Sequence, residues 1–172
     1  MDRDREEHAR AAERALRLER DTEDLRRQVA RRSNTIATRF DKVCAVLSAL
    51  GYLSEDGTAV TAAGGMLARL YSELDLVAAE CVRAGVFYDL DAAELAAVAS
   101  TLTYESRGGD GRRPARMPNR STEIAQSLVR RIWREVSLLE RDHRLDNGRD
   151  PDIGFAEAAY WWATGLPLGE IL

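Results

Sequence analysis

Lysine is nearly missing from this sequence: of its 25 basic residues only Lys42 is a lysine, and the other 24 are arginines. Cysteine is as scarce. Cys44 and Cys81 form no C-x-x-C pair, which excludes a disulfide framework and fits a reducing, cytoplasmic setting. Both fall on apolar helical faces and read as buried small hydrophobes. The two histidines, His8 and His143, stand in charged stretches with no second ligand at metal spacing, so they read as solvated side chains and no metal site is expected. No run reaches 18 apolar residues, which excludes a membrane-spanning helix. The start, Met1-Asp2-Arg3-Asp4-Arg5, lacks the apolar centre of a signal peptide. There is no G-x-x-x-x-G-K-[ST], so no phosphate loop for a nucleoside triphosphate. The carboxylate pairs Glu6-Glu7 and Asp89/Asp91 are explained by helical or capping context, which leaves no stand-alone catalytic site.

What remains is 172 residues with a formal charge of −4, long enough for one well-buried domain. The charge lies in blocks. Residues 1–32 sum to +1, residues 54–95 to −6 and residues 105–149 to +4, while the tail from Asp150 has four acids and no base. An acidic chain of this kind can still present a local basic surface. The densest basic stretch, 107–120, sets Arg107, Arg112, Arg113, Arg116 and Arg120 against Asp110 alone.

The periodicity predicts an all-α fold, an orthogonal helical bundle with one short β-hairpin and a long N-terminal helical arm. Residues 2–31 are rich in Ala, Leu, Glu and Arg, good helix formers. Their stripe (Ala9, Ala12, Leu16, then Leu25, Val29) is thin, as expected of an arm or of a helix that packs on something else. A second pattern, Ile36, Phe40, Val43, Leu47 and Leu50, ends at Gly51. Tyr52-Leu53, the Asp56-Gly57 turn and Ala59-Val60-Thr61 predict the hairpin. Thr61 caps a helix carrying Met66, Leu67 and Leu70; Leu74, Val77 and Cys81 mark another, closed by Gly85. Asp91 with Glu94 forms a capping box for a helix through Leu102. Residues 106–118, with three Gly and two Pro, form a loop. Ile124, Leu128, Ile132, Val136 and Leu139 define a strong amphipathic helix. Asp150-Pro151 opens the last helix, expected to bury Phe155, Ala158, Ala159 and Trp162.

Two features are candidates for binding. The arginines of the Gly/Pro loop have the backbone freedom to converge on a phosphate backbone, or they form a solvated basic loop. Trp161 and Trp162, about 100° apart on one helix, cannot both face a core, so at least one is expected at a protein interface or stacked on a base. The helix–hairpin–helix order around 36–72 also fits a winged-helix DNA-binding protein, although its recognition helix would carry only Arg39 and Lys42.

Four motifs in order resemble a known family. They are Arg39-Phe40-Asp41-Lys42-Val43 with Leu50-Gly51-Tyr52-Leu53; Val60-Thr61 with Leu67-Ala68-Arg69-Leu70-Tyr71-Ser72-Glu73; Asp75-Leu76, Gly85-Val86, Leu90-Asp91, Glu94-Leu95 and Tyr104-Glu105; and Phe155-Ala156 with Tyr160, Trp162-Ala163 and Gly165. This set resembles the C-terminal (DSHCT) domain of superkiller/exosome-type DExH-box ATP-dependent RNA helicases, HelY type. The match covers roughly 34–172, and residues 1–33 resemble the stalk helix that enters it. The resemblance implies a non-catalytic helical domain that braces the motor domains and forms part of a channel for single-stranded RNA. It implies Glu105 as an RNA contact, beside Arg107, Arg112, Arg113 and Arg116. ATP and Mg would be bound by motor domains, not by these residues. The family continues past the position of Leu172, so the domain is expected to be truncated there. Two alternatives stand beside this reading: a free-standing helical protein-interaction adaptor using the charged first helix and the Trp161-Trp162 face, and the winged-helix protein.

Overall fold

The computed structural model describes residues 2–106, 115–145 and 148–171, with the side chains of residues 2–12, 15 and 30–34 left aside. The chain divides into two compact units, Met1–Val43 and Cys44–Leu172.

The described residues of the first unit all belong to α1 (Asp2–Ala49). The two patterns of the sequence, 2–31 and 36–50, are therefore one continuous helix. Serine, asparagine and threonine at 33–35 carry no helix-breaking Gly or Pro, so nothing forces a stop there. Glu23 precedes Arg27 by one turn at 3.8 Å, the favourable order for such a pair. Leu18, Leu25, Val29, Ile36 and Phe40 are all more than half exposed.

The second unit begins with the last residues of α1. Gly51 at φ +76° ends that helix, and the Tyr52 N–H reaches back to the Leu47 carbonyl at 2.8 Å. Tyr52 is then buried. Its hydroxyl donates to Glu80 Oε1 at 2.5 Å, while Arg83 donates to the same oxygen and to the Leu50 carbonyl, each at 2.7 Å. The Arg83 guanidinium lies 5.1 Å from the Tyr52 ring centroid. Burial, then the Glu80 contact, pushes the Tyr52 hydroxyl up to about 12, so this clasp stays neutral at the phenol.

The expected hairpin is reduced to a single antiparallel bridge, Leu53 to Val60. The intervening residues turn on Asp56 instead, whose carboxylate accepts from Ser54 Oγ, Thr58 N and Thr58 Oγ1. Ser54 N donates to the Ala59 carbonyl at 2.9 Å and Thr61 N to the Tyr52 carbonyl at 3.1 Å on either side of the bridge, and the Asp56 side chain closes the turn between them.

Three of the next four helices supply most of the core. α2 (Ala62–Leu67) is capped by Thr61, whose Oγ1 accepts from the Gly64 N–H at 3.2 Å. α3 (Asp75–Arg83) ends before Gly85 at φ +70°. α4 (Ala92–Thr103) opens with the reciprocal Asp91/Glu94 capping box. α5 (Arg120–Asp142) opens on Asn119, whose Oδ1 accepts from Thr122 N at 3.0 Å and whose amide donates to Glu94 Oε1 at 2.9 Å. The capped ends of α4 and α5 are therefore tied together.

The buried face of α5 is Ala125, Val129, Ile132 and Val136, and Ile124 is 53% exposed. The buried stripe therefore starts one position later than the predicted one, at Ala125 rather than Ile124. Val77 and Cys81 from α3 with Leu74 and Val86 on either side of it, Ala97, Val98 and Leu102 from α4, Met117 and Ala156 complete the core. Burial pushes the Cys81 thiol up to about 12, in keeping with an inert core residue.

The last helix also differs from expectation. Pro151 is buried and starts nothing; Asp152 caps a 3₁₀ turn (Ile153–Phe155) through Gly154 N at 2.7 Å, and α6 (Ala156–Ala163) follows. α6 buries only Ala156 and Ala159, whose small side chains let it lie close on the alanine-rich α4. Trp162, expected in the core, is 66% exposed. α7 (Leu168–Ile171) completes the described chain.

Candidate nucleic-acid interface

The C-terminal end of α4 exposes carbonyl groups with no helical partner, and the chain brings donors to them from two directions. Ser72 Oγ donates to the Leu102 carbonyl at 3.0 Å, and Arg149 Nη2 donates to the same oxygen at 2.8 Å. Arg149 Nε also reaches Glu73 Oε2 at 3.3 Å. Only 15% of the Arg149 side chain is exposed, so this arginine acts as a strut.

Asp152 fixes the residues just beyond. Its Oδ2 accepts from Ser106 N at 2.8 Å and Ser106 Oγ at 2.6 Å, and its own N–H donates to the Thr101 carbonyl at 2.9 Å. Burial would raise this carboxyl, but the hydrogen bonds from Ser106 and Gly154 and the Arg149 charge outweigh it and hold it below the ordinary range. Tyr104 stacks on Phe155 with ring centroids 5.4 Å apart, and a side chain on Gly154 would meet the Tyr104 ring at 2.9 Å.

Glu105 is exposed between these two fixed neighbours. It lines an open polar cleft of about 410 Å³ with Tyr71, Ser72, Glu73, Thr103 and Arg149. Tyr71 is 96% exposed there, a free aromatic face. Two carboxylates and an engaged arginine make this cleft a hydrogen-bond acceptor for amino groups rather than a phosphate cradle.

Arg107, Arg112 and Arg113 lie outside the described residues. Arg116 is turned to α6, where its guanidinium meets Glu157 Oε1 at 2.9 Å and both carboxylate oxygens from Nε at 3.3 and 3.4 Å. That pair is open to water, with the Arg116 side chain 70% exposed.

Trp161 and Trp162 are both exposed, at 41% and 66%. Trp161 sits edge-on to Tyr160, centroids 5.1 Å apart. Trp162 walls an apolar groove of about 520 Å³ between α4 and α6, with Ala96, Ala99, Phe155, Ala159 and Ala163. Thr103 borders both groove and cleft. His143, expected to be solvated, is half-buried with Nδ1 2.9 Å from the Leu139 carbonyl.

Sequence reasoning missed Tyr71, Arg149 and Asp152. The one local signal was the D-x-G spacing of Asp152 and Gly154, the signature of a side-chain-capped turn.

Much of the polar chemistry around this cleft goes into bracing the C-terminal end of α4. The DSHCT (NUC185) domain profile matches residues 57–172, and the chain belongs to that family. It is 39% identical over 172 residues to the probable helicase HelY of Mycobacterium tuberculosis, covering 97% of this chain and 19% of that protein. The Mycobacterium leprae HelY is 39% identical over 166 residues. Human superkiller complex protein 2 is more distant, 24% identical over 157 residues, covering 91% of this chain and 12% of its own length. The chain thus spans about a fifth or less of each relative.

Proposed function

We propose that this chain is the non-catalytic C-terminal helical domain of an ATP-dependent RNA helicase, contributing a wall of the single-stranded RNA channel and bracing the motor domains. Residues 1–33 serve as its stalk-like arm and residues 34–172 as the domain proper. The observation that carries the reading is the 39% identity to HelY across 97% of the chain. The fixed surroundings of Glu105 support its role: a carboxylate held on a braced helix end accepts hydrogen bonds from base amino groups with little ordering cost. ATP and Mg belong to motor domains outside these residues, and the protein works in the cytoplasm.

Weak, salt-sensitive binding of a labelled single-stranded RNA is expected, measured by fluorescence anisotropy at low ionic strength. Replacing Arg107, Arg112, Arg113 and Arg116 with Ser is expected to weaken it, and Glu105→Ala to change base preference at constant salt slope. No RNA binding at low salt would refute the channel role.

The adaptor reading keeps one supporting observation, the apolar groove walled by Trp162. A stable protein complex lost on Trp162→Ala would favour it. The winged-helix reading loses its parts, since its hairpin is one bridge and its recognition helix is the end of α1.

A further inference from the structure

The outward face of α5 has no role in the channel reading. A helix turns 100° per residue, which places Arg120, Arg130, Arg131, Arg134 and Arg141 within a sector of about 100° opposite the buried Val129, Ile132 and Val136. Between Glu123 and Glu135 that helix carries three arginines and no acid. Arg131 faces Glu135 at 3.8 Å. Arg130 and Arg134 are exposed, and their side chains make no ion pair or hydrogen bond among the described residues.

These two arginines also wall a notch of about 160 Å³ whose other sides are Trp133, Asp150 and Pro151. The back of the notch is rigid. Trp133 Nε1 donates to the Arg149 carbonyl at 3.1 Å, and Pro151 is buried. Asp150 supplies one carboxylate against two guanidinium groups, so the notch keeps a positive balance. Arg149 lines the Glu105 cleft and its chain neighbour Asp150 lines the notch, so the two openings flank a single pair of residues.

We infer that the exposed face of α5 is a second nucleic-acid contact, in which Arg130 and Arg134 hold the phosphodiester backbone of a single RNA strand that continues from the Glu105 cleft. The two side chains stand one turn apart, about 6 Å along the helix, and each guanidinium offers a planar fork to a phosphate. Contacts of this kind position a strand without reading its sequence. The inference rests on the RNA-helicase reading only for the choice of RNA as ligand.

The test compares labelled 20-nucleotide single-stranded RNA and DNA on the whole chain, by anisotropy across a salt series. Each phosphate contact on a single strand contributes about 0.7 to the slope of log K against log salt. Arg130→Gln with Arg134→Gln is expected to lower that slope by about 1.4 for both nucleic acids, with an unchanged melting temperature. Lysine at both positions is expected to restore the slope. An unchanged slope in the double glutamine variant, while the four loop serines abolish binding, overturns this inference and leaves the channel reading standing. The reverse pattern supports the α5 contact and removes the loop assignment. No RNA binding by the unaltered chain overturns both.

Discussion

α1 and α5 are built from the same stock of Arg, Glu, Leu and Ala, yet they meet opposite fates. In α5, Ala125, Val129, Ile132 and Val136 are nearly fully buried. In α1, Leu18, Leu25, Val29, Ile36 and Phe40 recur on a comparably narrow stripe and stay exposed, from 60% to 71%. Amphipathic spacing is thus a statement about what a helix can bury, not about what it does bury. α5 also has a capping residue that is itself bonded to the capping box of α4.

The contrast predicts the largest difference at two isoleucines. Ile132→Ala is expected to cost about 2–5 kcal/mol through lost burial and the cavity left behind, whereas Ile36→Ala is expected to change stability by less than about 0.5 kcal/mol. Chemical denaturation of both variants checks this, and similar losses would show that the α1 stripe is covered in solution.

Gly64→Ala is expected to follow at about 1–3 kcal/mol, because the new Cβ runs into the Tyr52 carbonyl oxygen, which is backbone and cannot swing aside. Gly65→Ala, with nothing near its Cβ, is the matched control. Thermal melts of the pair measure the difference.

Asn119→Ala is expected to cost about 1 kcal/mol by removing the α5 cap. Hydrogen exchange is the sharper readout: faster exchange confined to the first turns of α4 and α5 is expected, since both ends share Asn119.

The smallest effect is a pH dependence. Burial raises the carboxyls of Asp75 and Glu140, and for Glu140 the charge of Asp75 adds to it. The folded state therefore keeps these protons where the unfolded chain, with carboxyls near about 4, has lost them. Their contribution to stability is fully present below about pH 4 and disappears as pH rises through the folded values. Asp56, held at about 2 by Ser54 and Thr58, works in the opposite sense and loses its contribution as pH falls toward that value. Asp75→Asn with Glu140→Gln is expected to flatten the first slope alone in denaturation curves between pH 3 and 7.

Much of the helical core was legible in advance. Thr61, Asp91 with Glu94, Gly51 and Gly85 act where they stand, because caps and left-handed stops are local chemistry. The burial of Cys81 followed from its place in an apolar stripe. The site was far less legible. Arg116 read as a phosphate donor because its sequence neighbours are basic, but its spatial neighbour is Glu157, 41 residues away. Trp162 read as core because Phe155 and Ala159 share its face, yet α4 meets α6 through alanines and leaves the larger ring outside.

The sequence by itself determined the all-helical class, most helix ends and the family, since each rests on spacing and side-chain chemistry over a few residues. Only the tertiary structure decided which apolar stripe is buried, which arginine is a strut and which is free, and that Glu105 stands on a braced helix end. Those outcomes depend on what lies opposite each residue in space. Leu102, Arg149 and Asp152 meet across nearly fifty residues of chain, and no local pattern encodes that meeting.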